Sequence, residues 1–131
     1  MDKPEIDIYA YGYTEIPFDI FDALIFIKKD RIQHDLCMHI LMQTYQGDGE
    51  AAFLDLNEFA FLSRTSLSWV QKRLRRLIER RIVLCMEERP GNIGIYKINP
   101  EISEWHDKRL QKVYGTDLWR KLFPLPPGQE E

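Results

Sequence analysis

Leu56-Asn57-Glu58-Phe59-Ala60-Phe61-Leu62-Ser63-Arg64-Thr65-Ser66-Leu67-Ser68-Trp69-Val70-Gln71-Lys72-Arg73-Leu74-Arg75-Arg76-Leu77-Ile78 is the stretch whose reading decides the fold. Asn57 is a good N-cap for a helix of about a turn and a half over 58–62. Ser63-Arg64-Thr65 has the composition of a tight turn, and Ser66 caps a longer helix that runs to about Arg80. Within it Val70, Leu74, Leu77 and Ile78 recur at i, i+4, i+7 and i+8, a single buried stripe. Everything pointing away from that stripe is polar, basic or Trp69. Two helices joined by so short a turn read as a helix-turn-helix.

Downstream, Ile82 to Glu87 and Ile93 to Ile98 alternate as strands across Glu88-Arg89-Pro90-Gly91-Asn92, whose Pro-Gly pair is a strong turn signal. This predicts a β-hairpin. Upstream, Ala52 to Leu56 reads as a short strand. Before it lies a core helix capped by Asp30, with Ile32, Leu36, Ile40, Leu41, Thr44 and Tyr45 on its apolar face, stopped at Gln46-Gly47-Asp48-Gly49. The order helix, strand, short helix, turn, longer helix, hairpin predicts a mainly α, α+β fold with a small β-hairpin, a winged helix-turn-helix.

The flanks complete the division. Residues 1–13 suit an extended N-terminal arm, and residues 14–99 form the winged-helix domain. Pro17 opens a short helix over roughly 17–28, in which Phe18, Phe21, Ala23, Leu24, Ile25 and Ile27 fall at helical spacing. Residues 100–123 form a C-terminal helical extension. There Asn99-Pro100 starts a helix with Ile102, Trp105, His106, Leu110, Val113 and Tyr114 on one face, ended by Gly115, and a shorter segment from Asp117 to Phe123 follows a Thr116 cap. Residues 124–131 have the composition of a flexible tail or linker.

With 131 residues, 44% of them hydrophobic and 30% charged, the chain suits one soluble globular domain. No apolar run approaches the roughly 20 residues that cross a bilayer, and Met1-Asp2-Lys3-Pro4 does not open a signal peptide. A cytoplasmic protein without membrane contact is expected. Cys37 and Cys85 lie in apolar segments and cannot build a disulfide framework, so both are expected as reduced core residues.

The formal net charge of −3 hides a strong asymmetry. Residues 1–62 carry four Lys/Arg against twelve Asp/Glu, whereas residues 63–81 carry seven against one. A basic stripe on an acidic body governs binding more than the total does, because fields fall away within about 10 Å at ordinary salt. Lys72, Arg73, Arg75, Arg76, Arg80 and Arg81 lie on or beside the longer helix, with Arg64 in the preceding turn. Such a pattern suits double-stranded DNA: cations neutralise phosphate, and directional side chains read base edges. The candidate DNA-binding residues are Arg64, Ser66, Ser68, Trp69, Gln71, Lys72, Arg75 and Arg76, with Arg89 and Asn92 from the hairpin turn. Gln71 and Arg75 are the first choices for direct readout, since Gln pairs bidentately with adenine and Arg with guanine. Trp69 stacks on a sugar or thymine methyl, packs on another protein, or lies under the N-terminal arm.

Gly12-Tyr13-Thr14-Glu15-Ile16-Pro17, followed by Ile20, Phe21, Ala23 and Leu24, resembles the opening of the phage replication protein O family. Thr44-Tyr45, Leu56-Asn57-Glu58-Phe59-Ala60, Ser66 with Val70, Leu74 and Leu77, and Ile98-Asn99 before Trp105 are similar to the same pattern over roughly residues 12–106. The resemblance implies a duplex-DNA-binding winged helix that recognises repeated sites at a replication origin, usually followed by a separate helicase-recruiting region. Three departures stand out. Arg64 and Arg81 occupy positions where the family often has Gly, and the chain ends in its proline-rich tail, as a domain cut at its linker or a stand-alone protein would.

Other chemistry finds little support. His34, Cys37 and His39 do not share one helix face, and no second Cys/His pair follows, so no metal or cofactor is expected. Paired carboxylates such as Asp19/Asp22 and Glu87/Glu88 lack environments that would drive their acidities apart, and no phosphate-cradling loop or nucleophile elbow occurs, so an enzyme is not expected. The expected role is sequence-specific duplex binding in phage or prophage replication initiation. The competing readings are a transcription regulator and a module that docks an acidic replisome protein on the same basic helix. The tryptophans Trp105 and Trp119 leave a homodimer open.

Overall fold

Pro17 presets the backbone for α1 (Phe18–Ala23), which tightens into a 3-10 turn over Leu24–Ile27. A computed structural model describes residues 16–47, 50–125 and 127. The predicted arm, and all of the predicted tail except Pro124, Leu125 and Pro127, lie outside the described residues. Asp30 then starts α2 (Arg31–Gln46), its carboxylate accepting from the Gln33 amide at 3.1 Å. The stripe read from the sequence is the buried one, with Ile32, Leu36, Ile40, Leu41 and Thr44 inside.

β1 (Ala52–Asp55), α3 (Leu56–Leu62), α4 (Leu67–Glu79), β2 (Val83–Arg89) and β3 (Ile93–Ile98) follow in the expected order. The hairpin does not stand alone: β1 pairs antiparallel with β3 to give the sheet order β1-β3-β2. Gly94, Tyr96 and Ile98 on β3 face inward at the period of two that a half-buried strand requires. The result is a winged-helix-like α+β fold. Its core spans α1, α2, the sheet, the inner faces of α3 and α4, and the C-terminal residues Trp105, Leu110 and Trp119.

Several local expectations are corrected. α3 starts two residues early, because Asp55 rather than Asn57 is its cap, accepting from the Asn57 and Glu58 amides at 3.0 and 3.2 Å. β2 runs on to Arg89, with an irregularity between Cys85 and Glu87, and Cys85 is exposed, so only Cys37 is a core thiol. Phe18, Phe21 and Ile25 face outward, and α1 is anchored instead by Ile20, Ala23, Leu24 and Ile27. The helix expected over 100–114 is broken at Trp105. A 3-10 turn (Ile102–Glu104) precedes an extended Trp105 whose indole Nε1 donates to the Asn99 carbonyl at 2.8 Å, and Asp107 then caps α5 (Lys108–Val113). α6 (Asp117–Leu122) forms without a side-chain cap, since the Thr116 hydroxyl donates to the Val113 carbonyl at 2.7 Å.

Arg64 and Arg81 adopt φ of 55° and 57°, the left-handed region that favours glycine. Each follows a helix and closes it. Arg64 and Thr65 donate to the Phe61 and Ala60 carbonyls at 3.2 and 3.0 Å, and Arg81 and Ile82 donate to the Ile78 and Leu77 carbonyls at 3.0 and 3.1 Å. These are Schellman closures with arginine in the glycine position. They give the sharp turn between α3 and α4 and the exit from α4 into β2.

Beside Arg81, Arg80 behaves oppositely. Its guanidinium donates to Gln33 Oε1 at 3.0 Å, to Asp107 Oδ2 at 2.8 Å and to the His106 carbonyl at 3.3 Å, with the pair's side chains only 17% and 8% exposed. Urea denaturation of Arg80→Ala should show a loss of about 3–5 kcal/mol, because Asp107 is left buried without its cation. Arg81→Gly should gain up to about 1 kcal/mol by relieving the left-handed backbone. Equal effects of the two substitutions would contradict this division.

Candidate nucleic-acid interface

Ser66 caps α4 as expected, its Oγ accepting from the Trp69 amide at 3.2 Å and lying 3.3 Å from Ser68 Oγ. Val70, Leu74 and Leu77 are buried and Ile78 half-buried, so the opposite face of α4 is necessarily the outer one. On it lie Ser68, Lys72, Arg75 and Arg76, all exposed, with Arg64 exposed in the turn before it. Arg76 approaches Glu79 at 3.7 Å, an exposed pair of small energetic weight. The side chains of Lys72 and Arg75 on this face, and of Arg64 in the turn before it, have no partner among the described residues.

Two other arginines of the run, Arg73 and Arg80, are engaged inward, whereas the Arg81 side chain is exposed. Arg73 pairs with Asp30 at 3.1 Å, and its Cζ lies 4.1 Å from the centroid of the Trp69 ring. Trp69 is therefore held flat against a cation on one side while remaining 40% exposed. Arg80 is the buried junction described above. Sequence spacing alone gave no sign of either pairing, since Asp30 and Asp107 lie far away in the chain.

The hairpin supplies a second wall. A groove of about 470 Å³ separates α4 from the β2–β3 connection, with Leu74, Ile78 and Tyr96 at its floor and Gln71, Arg75 and Arg89 on its sides. Burial first, and the nearby Cys85 and Glu88, push the Tyr96 hydroxyl up to about 12, so this floor is neutral at ordinary pH. The hairpin is not basic: Arg89 donates to Glu87 Oε2 from Nε at 3.1 Å and from Nη2 at 2.7 Å, and Glu88 adds a further negative charge. Gln71, half-buried, donates from Nε2 to Asn92 Oδ1 at 2.8 Å. Asn57, expected as a cap, instead donates from Nδ2 to the Gly91 carbonyl at 3.2 Å.

Residues 9–105 match the family model of bacteriophage replication protein O. The chain belongs to the bacteriophage replication protein O family. No curated protein and no solved structure matches it. Family membership gives the protein a role in phage replication. Among the described residues no helix is long and apolar enough to cross a membrane, and no group of three or more His, Cys, Asp or Glu side chains is placed to hold a metal. Cys37 and His39 have structural surroundings in this protein O relative. Burial pushes the Cys37 thiol up, with Arg80 opposing, whereas burial pushes the His39 imidazole down as it packs edge-on against Phe59 at 5.5 Å.

The contrast between inward and outward cations is measurable. Arg73→Ala should lower stability in urea by about 1 kcal/mol through loss of the Asp30 pair and the Trp69 stack. Lys72→Ala should stay within about 0.5 kcal/mol of the parent. Indistinguishable unfolding midpoints would mean that Arg73 is as loosely held as Lys72.

Proposed function

We propose that this protein binds double-stranded DNA through the outer face of α4, recognising repeated sites at a phage replication origin. The observation that carries the reading is that Lys72 and Arg75 on the exposed face of α4, and Arg64 in the turn before it, are unpaired among the described residues, next to the polar side chains of Ser68 and Gln71. A helix fits the major groove, where Arg pairs bidentately with guanine and Gln with adenine. Arg75 and Gln71 are assigned to base edges. Arg64 and Arg76, with Ser66 near the helix N-terminus, are assigned to phosphates, and Lys72 lies between the two roles. Trp69, backed by Arg73, offers a rigid apolar face to a sugar or thymine methyl.

The two carboxylates of the hairpin shape this reading. Glu87 and Glu88 repel phosphate, and Arg89 is neutralised by Glu87, so the hairpin approaches DNA at its turn, Pro90 to Asn92, rather than along its strands. A regulator of transcription would use the same contacts. A module docking an acidic replisome protein, or a homodimer, would use the cations without base preference.

Titration of single-alanine variants against a selected duplex and a scrambled one, at several salt concentrations, tests the assignment. Arg75→Ala and Gln71→Ala should each cost roughly 1–3 kcal/mol on the selected duplex and relax preference at one base pair. Arg64→Ala and Arg76→Ala should weaken both duplexes alike and reduce the salt slope by about one. Identical behaviour of all four variants on both duplexes would replace base readout by a plain electrostatic surface.

A further inference from the structure

Asn92 has a left-handed backbone with φ of 63°, and three contacts hold it and its neighbour in place. Its carbonyl accepts from the Leu56 amide at 2.9 Å, Asn57 Nδ2 reaches the Gly91 carbonyl at 3.2 Å, and its side-chain Oδ1 accepts from Gln71 Nε2 at 2.8 Å. The turn of the hairpin is thereby fastened to the start of α3 and to the middle of α4. Gln71 is the member of this set that stands on α4, and it keeps spare hydrogen-bonding capacity. With one N–H of Nε2 held by Asn92, its second N–H and its Oε1 remain available.

We propose that Asn92 is a positioning residue for base recognition, orienting the Gln71 amide so that it reads adenine in preference to guanine. This rests on the duplex-binding reading above. In the major groove adenine offers a donor and an acceptor, N6 and N7, whereas guanine offers two acceptors, O6 and N7. An amide held by Asn92 meets adenine with Oε1 and the second N–H, and sets Oε1 against guanine O6. Released from Asn92, the amide rotates and loses that discrimination. Aspartate in place of Asn92 accepts only, so it retains the orientation seen here and excludes the reverse one. Glycine keeps the left-handed backbone and removes the acceptor.

The test uses the intact chain, a preferred duplex selected from a pool of short duplexes with randomised centres, and its single-base-pair variants. Gln71→Ala should flatten preference at one A·T pair. Asn92→Gly should lower the preference for A·T over G·C at that same pair by about five- to tenfold, with preference elsewhere retained, and Asn92→Asp should keep it whatever its effect on overall affinity. The positioning role alone falls if Gln71→Ala flattens the pair and Asn92→Gly does not. It also falls if Asn92→Gly flattens all pairs alike, or if Asn92→Asp behaves as Asn92→Gly. Selection of no sequence by the parent chain, or a Gln71→Ala variant with unchanged preferences, overturns the readout assignment and the positioning role together.

Discussion

The guanidinium of Arg80 is the junction on which the remaining arrangement depends. It joins the C-terminal end of α4 to α2 through Gln33 and to the cap of α5 through Asp107, and its own carbonyl accepts from the His106 amide at 2.8 Å. The chain of contacts continues, since Gln33 Nε2 donates to Asp30 at 3.0 Å and Asp30 pairs with Arg73. A buried ion pair of this kind contributes little net stability against an apolar replacement, but either half left alone is costly. It ties the end of α4 to α2 and α5 in the rotational setting that buries Val70, Leu74 and Leu77 and leaves Lys72 and Arg75 exposed.

From this follows a separation of the basic run into two populations. Arg73 and Arg80 are structural cations with carboxylate partners, whereas Lys72 and Arg75 on the outer face of α4 and Arg64 in the turn before it have no partner among the described residues. Over most of its length the protein is acidic, and the hairpin beside α4 carries Glu87 and Glu88, so the positive field is confined to a narrow strip. A narrow strip suits a partner with closely spaced negative charge approaching along α4, and it disfavours loose association over the rest of the surface. The hydrogen bonds from α3 and α4 to the Gly91–Asn92 turn tie the helices to the hairpin beside the groove.

Much of the fold was legible because its signals are local. The Ser66 cap, the Val70-Leu74-Leu77 stripe and the Pro90-Gly91 turn each act within a few residues, and each stands where the sequence placed it. What was not legible depends on distant partners or on competition between neighbours. Asp55 and Asn57 are both good caps, and only the docking of Asn57 on the hairpin separates them. The break at Trp105 comes from burial of its indole and the bond from His106 to Arg80, neither of which periodicity can register. Arg64 and Arg81 stand at positions where the resemblance led one to expect Gly, and the backbone indeed turns left-handed there. For the candidate site, the outward residues of α4 follow from the helical period alone, whereas the pairing of Gln71 with Asn92 and of Arg89 with Glu87 requires the tertiary structure.

The most direct measurement of the central claim is the change in backbone amide NMR shifts when the chain is titrated with a selected duplex. The account predicts that the perturbed amides run from Arg64 to Arg76 and include Gly91 and Asn92, while those of α6 and of Asp107 stay in place. Perturbations confined to the exposed apolar surface of Phe18, Phe21, Leu118 and Leu122, with α4 silent, would contradict it.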